Sequence, residues 1–155
     1  MATEGLTPRP CSIASALEVI GERWSLLVLR EVHYGVHRFE AIQRSVGAPR
    51  DVLAKRLKRL VEAGVLERRQ YSEHPPRFEY HPTQAGHELR PVLLLLNAWG
   101  ARWTPDAPQT DVTFEHDCGH ELDPMLACKA CGRPVTGSDI TVRAPELATG
   151  AAAAS

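Results

Sequence analysis

Residues 118–134 read CGHELDPMLACKACGRP and hold three of the chain's four cysteines. Cys128 and Cys131 stand in a C-x-x-C spacing with Gly132 behind them. This is the tight turn that lets two thiolates chelate one tetrahedral zinc ion. Cys118 is a third ligand, and the fourth is a nearby histidine, His120 or His116. The complete candidate set is Cys118, His120, Cys128 and Cys131. Zinc held by four protein ligands would be structural, because no position stays open for substrate. A redox dithiol is the competing reading, but such a motif opens a helix in a βαβ setting, and no such setting surrounds it. An enzyme built on this Cys/His run is a weaker reading still, because no ordered nucleophile, base and orienting group can be picked out.

A second run could do different chemistry. APRDVLAKRLKRLVEAG, residues 48–64, places five basic residues, Arg50, Lys55, Arg56, Lys58 and Arg59, against one acid, Asp51, between positions 50 and 59. Leu53, Leu57, Leu60 and Val61 recur at helical spacing on one side, and the charges fall on the other. A helix that enters the major groove needs this division: a back that packs, a front that donates to base edges, flanks that meet phosphates. A solvated amphipathic helix would look similar. The next segment, ERRQYSEHPPRFEYH, separates the two readings. It brings Arg68, Arg69, His74 and Arg77 close to a proline-stiffened turn, where a wing touches phosphates or the minor groove. Arg56 lies to the side of the exposed face and bridges either to the domain or to phosphate. Asp51 caps the helix start or accepts from a cytosine, and the cap is favoured.

The surrounding pattern supplies the elements that would position these groups. Apolar periodicity predicts helices over CSIASALEVIG, with Ser12 as cap, ERWSLLVLREV, HRFEAIQRSVG and the basic run itself. VLERRQY and RFEYH read as the strands of a hairpin with a turn at SEHPP. Thr83 then caps a long helix, in which Leu89, Val92, Leu96, Trp99 and Trp103 are spaced 3, 4, 3, 4, the seam of a helix that packs on another. Pro91 should bend it, and it is read as one kinked helix. Residues 1–10 read as a flexible arm, 11–103 as a DNA-binding and dimerisation domain, 104–113 as a linker, 114–143 as the cysteine-containing hairpin and 144–155 as a disordered tail. The expected fold is mainly α with a small β-hairpin wing, a winged helix-turn-helix, plus a zinc-ribbon-like appendage.

Charge follows the same division. Residues 1–103 carry 15 Lys+Arg against 11 Asp+Glu, whereas residues 104–155 carry 3 against 8. A basic front and an acidic rear suggest two units with different tasks, and an acidic rear unit that docks a protein partner is compatible with a DNA-binding front. No run approaches the length of a spanning helix and no leader pattern is visible, which points to a cytoplasmic protein without a membrane partner.

CSIASALEVIGERWSLLVLREV, HRFEAIQRSVG, VLAKRLKRLVEAGVLERRQY, PPRFEYHPTQAG and LLNAWG, in this order from Cys11 to Trp103, resemble the HxlR family of bacterial winged helix-turn-helix regulators. The resemblance implies a homodimer that binds double-stranded DNA at a palindromic operator. It implies a dimer interface built from the first helix, through Ile13 and Leu17, and from the long helix. It places Arg50, Lys55, Lys58 and Arg59 at the DNA. It also singles out Cys11, because some members sense oxidants through a cysteine at this point; the alternative is a thiol packed at the dimer seam as a small apolar group. A small-molecule effector fits this architecture, though no residue specifies one. The family core does not include the Cys118–Cys131 run.

Overall fold

The computed structural model describes residues 11–104, 106 and 112–143. The expectations for residues 1–10 and 144–155, and for most of the linker, lie outside the described residues. The chain divides into two compact units between Gly100 and Ala101.

The first unit opens with α1 (Ser12–Ile20) and α2 (Arg23–His33). Ser12 does not cap α1. Cys11 holds the N-cap position in extended backbone, and Ser12 is the first helical residue. Val28, Leu29 and Val32 of α2 are enclosed, and with Ile42, Leu53, Leu57, Leu60 and Leu66 they form the core. Glu31 is also buried, and it accepts at 2.8 Å from the Arg30 guanidinium, which answers the cost of burying its charge.

Next come α3 (Phe39–Val46) and α4 (Arg50–Glu62), joined by Gly47, Ala48 and Pro49. Gly47 ends α3 with φ of 72°, a left-handed conformation that a glycine adopts without strain. Ala48 is buried under this turn, and its carbonyl accepts from the Gln43 side chain at 3.3 Å. The turn directs α4 so that Leu53, Leu57 and Leu60 are sealed while Asp51, Lys55, Lys58, Arg59 and Glu62 face solvent. Pro49 precedes the first turn and no side chain caps it. Asp51 sits inside that turn, where its charge favours the positive helix end, rather than acting as the cap.

β1 (Leu66–Glu73) and β2 (Pro76–Pro82) pair antiparallel, with Leu66 opposite Pro82 and Gln70 opposite Phe78. The strands run further than the sequence suggests. Ser72 and Glu73 remain paired, and the turn shrinks to His74 and Pro75. A bulge at Tyr71 shifts the register.

Thr83 caps α5 (Gln84–Glu88) as expected, with its hydroxyl accepting from the Gly86 N–H at 3.3 Å and donating to the Gly64 carbonyl at 2.6 Å. Thr83→Ala is expected to cost about 1 kcal/mol and to lower the melting temperature by several degrees in a thermal scan. An unchanged midpoint would mean that the cap contributes nothing. His33 donates from Nε2 to the Gly86 carbonyl across 3.1 Å, and burial pushes its pKa below the ordinary imidazole value.

The long helix is not continuous. It breaks at Leu89 into α5 and α6 (Arg90–Trp103). Pro91 has no N–H to give the His87 carbonyl, and its ring crowds that turn. Leu89 folds inward with Leu93 against the core, so it leaves the seam to which its spacing assigned it.

The second unit differs most from expectation. Its described residues contain no strand. Two isolated antiparallel bridges, Glu115 with Glu121 and Ala127 with Pro134, each close one tight loop. An extended hairpin needs an alternating apolar run to pair, and this segment is interrupted by Pro124, Gly119 and Gly132.

Candidate nucleic-acid interface

Three elements form one basic face of the first unit: α4, the start of α3 and the wing. On α4, Lys55 and Arg59 lie one turn apart, exposed, and neither side chain has a hydrogen bond or ion pair among the described residues. Their neighbours are more restrained. Lys58 lies 3.7 Å from Glu62. Arg50 lies over the Phe39 ring, 4.7 Å from its centroid, with Glu40 at 3.9 Å. Arg56 turns away from this face and meets Glu22 at 3.2 Å in the approach to α2. The domain-bridging alternative for Arg56 therefore describes its place in the structure.

The wing is anchored by residues that sequence reasoning did not select. Arg38 makes a one-residue bridge to Glu79, extending the hairpin edge, and the Tyr80 N–H donates to the His37 carbonyl at 2.9 Å. The Arg38 guanidinium donates to Glu79 at 3.0 Å and covers the bulged Tyr71 ring at 4.5 Å. Arg38, with His81 behind it, holds the Glu79 carboxyl below the usual carboxylate range. The rings of His37 and His81 stack at 4.1 Å. On the wing itself, Arg69 donates to Glu67 at 2.8 Å, Arg68 covers Phe78 at 3.8 Å, and His74 and Arg77 are exposed near the tip.

Between the wing and the starts of α3 and α4 lies a cleft of about 660 Å³ whose lining includes Arg38, Arg44, Arg50 and Arg77. Four arginines against the one lining acid, Glu40, suit phosphate oxygens, which guanidinium recognises in a bidentate way. Arg44 escapes sequence reasoning because it stands on α3 outside any charged run. Only the fold brings it to the same cleft as Arg77.

An exposed helix of cations backed by a leucine core, with a basic hairpin beside it, is the arrangement of a winged helix-turn-helix. Residues 19–108 match the model of the HxlR-like helix-turn-helix family. The chain belongs to that family. An HTH-type transcriptional regulator of Mycobacterium tuberculosis is 41% identical over 131 residues, covering 84% of this chain and 83% of that one. The solved structure of PA1607, a candidate transcription factor, superposes with a TM-score of 0.73 at 32% identity, covering 86% of this chain and 94% of its own. HypR, a redox regulator in its reduced form, matches with a TM-score of 0.54 at 27% identity, over 59% of this chain and 91% of its own. This HxlR-like chain is thus a DNA-binding transcriptional regulator of the winged-helix type. No described helix is long and apolar enough to cross a membrane.

Two further groups of residues in this HxlR-like chain bear on function. Ile13 and Leu17 on α1 and Val92, Leu96, Trp99 and Trp103 on α6 are large apolar side chains left exposed, and neither helix contains a buried residue. Cys11, Cys118, Cys128 and Cys131 are free, exposed thiols. Among the described residues no three His, Cys, Asp or Glu side chains meet where one metal ion could sit. Cys128 and Cys131 do meet each other, and the Arg133 N–H and side chain, with Cys128, hold the Cys131 thiol below the ordinary cysteine value.

Proposed function

We propose that this regulator binds a palindromic operator as a homodimer, with one α4 in the major groove of each half-site and each wing on the flanking backbone. The observation that carries the reading is the pair Lys55 and Arg59, exposed and unpartnered among the described residues, on a helix whose opposite side is locked into the core. Two-fold symmetry would set the two helices about 34 Å apart, one turn of DNA. The exposed apolar residues of α1 and α6 supply the contact between copies. A gel shift on the DNA upstream of the protein's own coding region tests the proposal. Binding is expected at low salt, weakening steeply as salt rises because phosphate contacts release counterions. No retention on any flanking DNA at low salt would overturn it.

A second reading concerns regulation. Cys11 is exposed at the N-cap of α1, beside Ile13 and Leu17, and the redox regulator HypR shares the fold. Oxidation at this point would alter the contact between copies and so the spacing of the two α4 helices. Diamide is expected to change operator affinity about tenfold, a shift of roughly 1.4 kcal/mol, in the native protein and not in Cys11→Ser. An equal response in both would remove Cys11 as the sensor.

A further inference from the structure

The two loops of the second unit are variants of one design. In the later loop, the Cys128 N–H donates to the Arg133 carbonyl, the Gly132 N–H to the Cys128 carbonyl and the Val135 N–H to the Leu126 carbonyl. In the earlier loop, the His116 N–H donates to the His120 carbonyl, the Gly119 N–H to the His116 carbonyl and the Leu122 N–H to the Phe114 carbonyl. The three bonds correspond one to one if the earlier loop is a single residue shorter. Gly119 then matches Gly132, and both carry positive φ, 80° and 71°. Cys118 matches Cys131, and His116 matches Cys128. The loops therefore read H-x-C-G and C-x-x-C-G, each with two soft or borderline ligands on one side of a glycine-turned bend.

We propose that the two loops are the halves of one tetrahedral zinc(II) site, with His116, Cys118, Cys128 and Cys131 as its ligands. Three thiolates and an imidazole are a donor set that zinc accepts in structural sites. The loop correspondence also decides between the two histidines. His120 falls opposite Arg133, on the segment that leaves the loop, whereas His116 falls at a ligand position. The His116 ring already turns Nδ1 toward its own loop, 3.4 Å from the Cys118 N–H. That contact is long and exposed, so Nδ1 can exchange it for a metal. All four side chains are exposed, and no three of them yet meet, so the ion would draw the loops together and order the unit around itself. The unit's acidic composition favours a dication. Binding converts three thiols to thiolates, and three protons pass to solvent.

The test is titration of the reduced, full-length chain with cobalt(II), followed by zinc(II). About one equivalent of cobalt is expected to produce the visible d–d and thiolate charge-transfer bands of a tetrahedral site, bleached by zinc, with release of about three protons in weak buffer. Cys118→Ser, Cys128→Ser, Cys131→Ser and His116→Ala should each weaken zinc binding by on the order of a hundredfold or more, while His120→Ala stays within about twofold. Absence of tetrahedral cobalt bands from the reduced chain would overturn the site. Loss of binding in His120→Ala with retention in His116→Ala would overturn the ligand set. None of these readouts depends on DNA binding.

Discussion

Replacing Lys55 and Arg59 together with alanine is expected to lower operator affinity by on the order of a hundredfold or more without loosening the fold. Side chains that read bases contribute about 1–3 kcal/mol each, and these two side chains would give up no partner among the described residues on turning toward DNA. Their neighbours do. Lys58 is shared with Glu62 and Arg50 with Phe39 and Glu40, so part of what they would gain at the operator replaces an existing interaction. Arg56, paired with Glu22 and only partly exposed, should act differently: Arg56→Ala is a change in domain stability before it is a change in recognition. Fluorescence anisotropy at several salt concentrations separates the contributions. If Lys55 or Arg59 meets phosphate, removing it lowers the slope of log affinity against log salt by about 1. If it meets a base, affinity falls with the slope intact and discrimination at one position relaxes. A double variant that binds within about twofold of the native protein, with the same melting temperature, would remove this face of α4 as the reading surface.

The parts of this interface that could be read from the sequence are those whose signal is periodic. Leu53, Leu57 and Leu60 recur at helical spacing, and the charges opposite them have nowhere to go but solvent. Gly47 between two short apolar patterns marks the turn. The wing's existence is legible in the change of period after Gly64. Its attachment is not. Arg38 pairs with Glu79 in an isolated bridge, and the Tyr80 N–H donates to the His37 carbonyl, across about forty residues, and so short a pairing has no periodicity to detect. Arg44 belongs to the cleft for the same reason: its neighbours come from other elements. Pro91 is visible as a disturbance, but whether a helix bends or breaks depends on what captures the residues around it. Here Leu89 gains a place on the core, which favours the break. In the second unit the candidate ligand types are plain, and the choice of histidine is not. Spacing alone leaves His116 and His120 equivalent, and only the hydrogen bonds of the two loops set one of them opposite a cysteine.

Trp99→Glu on α6 and Leu17→Glu on α1 are each expected to yield monomers at concentrations where the native chain is a dimer. Trp99 is 58% exposed and Leu17 55%, and they belong to six large apolar side chains left exposed on two helices that reach the core only through the half-buried Val19, Ile20 and Leu93. Such surface is unfavourable in water by about 25 cal/mol per Å² relative to burial, and large apolar side chains left exposed in such number mark an association site. In a two-fold interface each substitution counts twice, so one change introduces two carboxylates into an apolar contact. Sedimentation or light scattering reads the assembly directly. Operator binding should then fall by roughly 10²–10⁴-fold, because engagement of the second half-site is no longer intramolecular with the first. Affinity for an isolated half-site should be nearly unchanged, since α4 and the wing are untouched. That pairing of results distinguishes lost dimerisation from a damaged reading head, which would weaken full site and half-site alike. A native chain that is monomeric at micromolar concentration, or a Trp99→Glu chain that remains dimeric, would mean that the α1 and α6 surfaces are not what joins two copies. The double-site geometry proposed for the operator would fall with them, while the Lys55 and Arg59 prediction would stand.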